Sequence, residues 1–102
     1  MDMYRFQLIV KEWHNRIFGE QYGTGYRNLL GLSEEVGELC HAHLKGEQQI
    51  TYSPAKVREL KMDAVGDILI FLCNYCDSQG LHIDDCADFA YKNIEGRVYI
   101  NK

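Results

Sequence analysis

The run Asp63-Ala64-Val65-Gly66-Asp67-Ile68-Leu69-Ile70-Phe71-Leu72-Cys73-Asn74-Tyr75-Cys76 is apolar on nearly every side when wound as a helix. A helix of that kind belongs at the centre of its domain. Its start is marked upstream, where Ser53 suits an N-cap and Pro54 the first helical position. Gly80 marks its end. The pattern predicts one helix over residues 54–79, roughly 39 Å long at 1.5 Å per residue, as the spine of an all-α bundle. One stripe breaks the apolar surface. Lys56, Asp63, Asp67, Asn74 and Ser78 follow one another in steps of 7, 4, 7 and 4, which places all five on one face. An ionised Asp67 packed beside Ile70 and Phe71 is costly unless it is paired, protonated or bound to a metal. Few basic residues lie nearby in sequence to pair with it.

Upstream, Ser33-Glu34-Glu35-Val36-Gly37-Glu38-Leu39 sets three carboxylates within five residues. The helix that carries them is expected over residues 28–45, with Gly46 just past its end. Leu29, Leu32, Val36, Leu39 and Cys40 gather on one side, the side expected to face the core. Glu34 and Glu38 lie opposite, one turn apart, with Glu35 at the edge of the same arc. Like charges so placed weaken a helix by tenths of a kcal/mol per pair. A hard divalent cation would offset this, because it prefers carboxylate oxygens. A solvated acidic face explains this segment alone equally well. The acid stripe on the long helix tips the reading toward Mg²⁺ held between two helices. His41 and Lys45 continue the Glu34–Glu38 face, and the oxygen preference of Mg²⁺ leaves His41 beside the site rather than in it.

A first helix is expected over residues 2–18. Met3, Phe6, Ile9 or Val10, Trp13 and Ile17 recur at helical spacing as a core stripe, with His14 pointing away to the surface. Trp13 also offers a ring on which a nucleobase can stack. Residues 19–26 read as a loop with three glycines. Tyr22 and Tyr26 in it suit a base or sugar, and plain aromatic packing is an equal reading. Arg27, beside Asn28, is within reach of a phosphate. Residues 47–52 form a polar connection. A fourth helix is expected over residues 81–95, with Asp84 and Asp85 at its favourable N-terminal end and Gly96 as its stop. Lys92, Asn93 and Arg97 cluster near its end, where basic residues also simply complement the helix dipole. The last residues, 98–102, alternate weakly and suit packing on a partner subunit.

A chain of 102 residues fits a single domain, residues 1–102. Hydrophobic content of 46% supports a core, yet helices this short leave apolar surface uncovered, which favours an oligomer. A formal net charge of −4 argues against nucleic-acid binding through a basic surface. No apolar run approaches a membrane span and no signal-peptide pattern follows Met1. Four cysteines without such a signal suggest reduced thiols in the cytoplasm. Cys73-Asn74-Tyr75-Cys76, with His82 and Cys86 downstream, superficially resembles a zinc knuckle. The C-x-x-C lies inside an apolar helix, however, so buried free cysteines acting as small hydrophobes are the expected reading.

Glu34-Glu35-Val36-Gly37-Glu38 followed by Asp63-Ala64-Val65-Gly66-Asp67 resembles the signature of MazG-like all-α nucleoside triphosphate pyrophosphohydrolases, E-E-x-x-E followed by E-x-x-D. The first half matches at Glu34, Glu35 and Glu38. In the second half Asp67 matches, while the family's glutamate falls on Ala64, and Asp63, one turn from Asp67, stands as its substitute. The resemblance spans about residues 29–97. It implies a four-helix bundle-like fold assembling as a dimer or a dimer of dimers, with each site completed by neighbouring chains. It implies cleavage of a (deoxy)nucleoside triphosphate between the α and β phosphates, in nucleotide-pool house-cleaning. It further implies Mg²⁺, for which Mn²⁺ can substitute, held by Glu35, Glu38, Asp63 and Asp67. Glu34 would handle the attacking water, a role it can exchange with Glu35. Lys92, Asn93 and Arg97 would contact the phosphates, and Trp13, Tyr22, Tyr26 and Asn74 the base or sugar. Two other readings stay open. Phosphoribosyl-ATP pyrophosphatases share the helical plan, and Gly80-Leu81-His82-Ile83-Asp84-Asp85 resembles their turn into the last helix. A non-catalytic helical interaction module would carry the same acids as a solvated face.

Overall fold

A computed structural model describes residues 2–19 and 25–100, with side chains through residue 96. Four helices follow in order: α1 (Met3–Phe18), α2 (Gly25–Gln48), α3 (Pro54–Ser78) and α4 (Ile83–Ile100). No strand occurs among the described residues. None of the helices is long and apolar enough to cross a membrane, among the described residues.

Local chemistry sets most of the ends. Asp2 caps α1, its Oδ1 accepting from the Arg5 N–H at 2.7 Å. Ser53 caps α3 through Oγ, which accepts from the Lys56 N–H at 3.2 Å, with Pro54 next in line. At the far end Gly80 takes a φ of +67°, and the Leu81 N–H turns back to the Cys76 carbonyl at 2.8 Å. Two expected stops fail. α2 runs through Gly46 to Gln48, and Gln49 ends it at a φ of +54°. Gly46 serves close packing instead: a Cβ there would stand 2.8 Å from Val57 Cγ1. α4 likewise runs through Gly96. One glycine costs a helix only about 1 kcal/mol, too little to end it without a competing turn.

α3 is the centre of the fold and touches the other three helices, α2 along the greatest length. α4 touches α1 and α3, and not α2, among the described residues. The fully buried apolar set is small: Val10, Ala42, Val57, Ala64, Cys73 and Cys76. α3 is thus central without being covered all round, and Met62 and Val65 are exposed on it.

Two faces differ from expectation. On α2, the stripe assigned to the core is only partly covered: Leu29, Val36 and Cys40 are exposed, Val36 by 45%, and Leu32 and Leu39 are half-buried. The helix turns Gly31, Ala42 and Gly46 toward α3, together with the edge that carries Glu35. Small residues let two backbones approach closely, and the Phe71 ring occupies the space a Cβ on Gly31 would need. On α1, the buried positions are Gln7, Val10 and His14, spaced by three and four. His14, expected on the surface, is only 8% exposed, while Trp13 is 40% exposed and Ile17 more so. The cause is Gln7. Its Nε2 donates to Asp77 Oδ1 and to the Leu81 carbonyl, both at 2.9 Å, and its Oε1 accepts from the Ile83 N–H at 2.7 Å. This clasp fixes the rotation of α1, with Gln7 against the α3–α4 turn and His14 toward α3.

The single chain is open in shape. Its accessible surface is 7803 Å², against roughly 5,900 Å² for a compact monomer of this mass. Its radius of gyration is 16.5 Å, against about 13 Å for a compact domain of this length.

Candidate active site

The α2–α3 seam brings the two acidic motifs face to face. Glu34, Glu35 and Glu38 from α2 and Asp63 and Asp67 from α3 line one cavity of about 410 Å³. His41 and Tyr52 complete its rim. All four expected metal ligands and the expected water-handling carboxylate therefore share one space. The backbone reason is the small-residue seam: Ala42 and Ala64, both buried, let the helices close until the carboxylates line one cavity.

Electrostatics in this cavity are unfavourable as they stand. Burial raises the Glu35 pKa above its ordinary value, and Asp67, Glu34, Glu38 and Asp63 raise it further by repulsion. Asp67 is raised by burial first and by Asp63 second. No basic side chain pairs with any of the five carboxylates among the described residues; the ion pairs at hand are His43–Glu47 and Lys56–Glu59. Lys56, on the same face in sequence, is thus engaged by Glu59 rather than by the acids. Among the described residues no three His, Cys, Asp or Glu side chains already converge as a formed metal site. The donor set fits a hard divalent cation all the same. It is made of oxygens, it lines a cavity, and its charges repel one another until something positive is added.

A second cavity, of about 680 Å³, opens from the same place. It shares Glu34, Glu35 and Asp67 with the acidic cavity. Its other walls are aromatic and amide. Trp13, His14 and Phe18 come from α1, Tyr26, Arg27 and Asn28 from α2, and Phe71 and Asn74 from α3. Trp13 meets Phe18 edge-on at 5.9 Å, and the His14 ring lies 5.2 Å from Phe18. The Arg27 guanidinium sits 5.9 Å from the centre of the Tyr26 ring, and its Nε donates to the Tyr26 hydroxyl at 3.4 Å. Trp13, Tyr26 and Asn74, singled out in the sequence as base or sugar contacts, are thus brought together. Phe18, Phe71, His14 and Asn28 were not singled out. They join the cavity through the pairing of α3 with α1, for His14 and Phe18, and with α2, for Asn28, which no local spacing encodes.

The structure does not bring every expected residue to this place. Lys92 and Asn93 are exposed on α4, and no described α4 side chain lines either cavity. Tyr22 lies outside the described residues, as does the side chain of Arg97. The cysteine set divides. Cys73 and Cys76 are buried, as expected of small hydrophobes, whereas Cys40 and Cys86 are exposed. Burial pushes the Cys73 thiol up to about 11 and raises Cys76 as well. The His82 ring stacks on Tyr4 at 5.2 Å. Searched against protein-family models, curated proteins and solved structures, the chain matches none of them.

Proposed function

We propose that this chain is a Mg²⁺-dependent nucleoside triphosphate pyrophosphohydrolase that hydrolyses a (deoxy)nucleoside triphosphate between its α and β phosphates. The observation that supports it is the junction of the two cavities at Glu34, Glu35 and Asp67. A nucleotide has one aromatic end and one anionic end, and the two cavities offer an aromatic wall and a set of cation ligands in direct succession. The larger cavity is of a size that holds small ligands.

On this reading the base stacks against Trp13 and Tyr26, and the buried Asn74 amide hydrogen-bonds its edge or the sugar. Glu35, Glu38, Asp63 and Asp67 would hold Mg²⁺, or Mn²⁺ in its place, which supplies positive charge to offset the phosphates. Glu34 borders both cavities. It orients the attacking water and accepts its proton as the oxygen bonds to the α phosphorus, and Glu35 can exchange this role with it. Pyrophosphate leaves with the electrons of the broken P–O bond.

Among the described residues α4 does not touch the helix that bears the glutamates, so on this reading Lys92 and Asn93 reach phosphates from a neighbouring chain, with Arg97 proposed to act beside them. A homodimer or homotetramer satisfies that need. The accessible surface supports it: the excess of about 1,900 Å² over a compact monomer is what one subunit buries in an obligate interface. A place in the cytoplasm, cleansing or trimming the nucleotide pool, follows from the activity.

The test is pyrophosphate release from a panel of canonical and modified nucleoside triphosphates and phosphoribosyl-ATP, with and without Mg²⁺. Mg²⁺-dependent release of pyrophosphate with a monophosphate product is expected. Orthophosphate as the product would refute the bond assignment. No turnover, together with no thermal stabilisation by Mg²⁺, would replace the enzyme with a helical interaction module.

A further inference from the structure

The seam between α2 and α3 has a second side. Around α3, Arg58 and Lys61 lie roughly half a turn from Asp63 and Asp67, and around α2, His43 and Glu47 lie roughly half a turn from Glu34 and Glu38. At the end of the helix pair these residues line a third cavity, of about 830 Å³. Gln49 and Tyr52 are in its wall. Tyr52 also borders the acidic cavity, and among the described residues no other lines both.

The charge in this cavity runs against that of the chain, which carries a formal −4. Arg58 and Lys61 stand one turn apart with no acidic partner among the described residues. The acid in the wall, Glu47, is engaged by His43 Nε2 at 3.2 Å. Lys56, on the same helix, shows the contrast, since Glu59 lies 3.9 Å from its Nζ. Cations one helical turn apart have Cβ atoms about 5–6 Å apart. That spacing suits several anionic groups in a row better than one carboxylate. A guanidinium binds phosphate oxygens in a two-pronged fashion that an ammonium does not.

We propose that this cavity is an anion site for an oligophosphate, with Arg58 and Lys61 as its principal contacts and His43 at its edge. The site is separate from the acidic cavity, and it stands whether or not the chain is a pyrophosphohydrolase.

The test is calorimetric titration of the whole protein with inorganic pyrophosphate in the presence of a chelator, so that no divalent cation carries the anion to the carboxylates. Saturable binding to the unaltered protein is expected. The double variant R58A/K61A, which removes no fully buried side chain, should keep the helical spectrum and melting temperature and lose about 100-fold in affinity, roughly tenfold for each charged contact. The double variant E35Q/D67N should bind pyrophosphate within about twofold of the unaltered protein, because those groups lie across the seam. Unchanged binding by R58A/K61A would overturn the proposal. So would loss of binding in E35Q/D67N, or no binding at about 10 mM pyrophosphate, a concentration at which even a weak phosphate site fills. Pyrophosphate binding of the expected pattern in a protein that hydrolyses no nucleotide would refute the hydrolase and leave this site standing.

Discussion

Replacing Gln7 by leucine should unfasten α4. Gln7 is 3% exposed, and its amide makes three bonds that tie α1 to the α3–α4 turn. Two go to neutral backbone groups, the Leu81 carbonyl and the Ile83 N–H, and are worth about 1 kcal/mol each. The third goes to the Asp77 carboxylate and is worth about 2 kcal/mol. Leucine fills a similar volume but satisfies none of the three, so the loss is about 4 kcal/mol. For a domain of this size each kcal/mol shifts the melting temperature by about 4–8 °C. The expected fall is therefore about 15–30 °C, read by circular dichroism at 222 nm with protein concentration fixed, because association also contributes. Hydrogen exchange should localise the loss, with the amides of residues 83–94 opening first. Gln7→Glu sharpens the test. It keeps the acceptor for Ile83 but turns an oxygen toward Asp77, so its instability should ease as pH falls into the carboxylate range. A loss below about 1 kcal/mol in Gln7→Leu, or α4 amides as protected as before, would refute the argument that this clasp holds α4.

The acidic cavity makes a prediction with a definite sign. Glu35 and Asp67 hold their protons to higher pH in the folded chain than at their ordinary values of 4.5 and 3.8. The metal-free protein should therefore lose stability as pH rises through these values and the raised ones above them, and Mg²⁺ should restore it; a melting temperature that rises over the same interval would count against the cluster. Glu35→Gln and Asp67→Asn should each raise the metal-free melting temperature, abolish its response to Mg²⁺ and lower turnover on the order of 100-fold. Trp13→Ala should raise KM roughly ten- to hundredfold with little change in kcat, since base stacking is worth about 1–3 kcal/mol; an unchanged KM would take Trp13 out of the base site. In the native protein at pH 8, Cys40 and Cys86 should react quickly with a thiol reagent and Cys73 slowly, because Cys73 is buried and its pKa is about 11. Equal reactivity of Cys73 would mean that α3 opens locally.

What the sequence made legible was whatever local chemistry decides. Ser53 and Pro54 start α3 because a cap needs only its own N–H groups, and Gly80 ends it because the turn needs a positive φ. The meeting of Glu34, Glu35 and Glu38 with Asp63 and Asp67 was legible for a related reason. Carboxylates one turn apart on an otherwise apolar α3 are expected to face a shared polar space rather than the core. The rotation of α1 and α2 was not legible. Hydrophobic periodicity put Leu29, Val36 and Cys40 in the core, but it cannot weigh a stripe of large residues against a seam of small ones. His14 was misread because polar residues on a helix are assumed to face water, and the role of Gln7 left no mark in the sequence because its partners lie 70 to 76 positions away. Gly46 and Gly96 were misread because a glycine that permits close packing, or that a helix merely tolerates, looks the same in sequence as one that stops it.

The misreading of α2 has one physical source. α2 and α3 close on Gly31, Ala42, Gly46 and Ala64, small residues with little apolar surface of their own to bury. What it does achieve is to hold five carboxylates around one cavity. The large residues that would ordinarily reward helix packing are left outside, Leu29, Val36 and Leu44 on α2 and Phe89, Tyr91 and Ile94 on α4, with Phe89 70% exposed. A seam that concentrates like charge while leaving the apolar faces bare is unstable on both counts. On the proposed reading each defect has its own remedy. Mg²⁺ relieves the repulsion inside the seam, and a second copy of the chain covers the faces outside it. The two remedies are separable in experiment. Charge removal in Glu35→Gln acts on the first and leaves subunit association intact, whereas Phe89→Glu, set in an interface that is apolar by this argument, should split the assembly in sedimentation and leave the acidic cavity of each chain as it was.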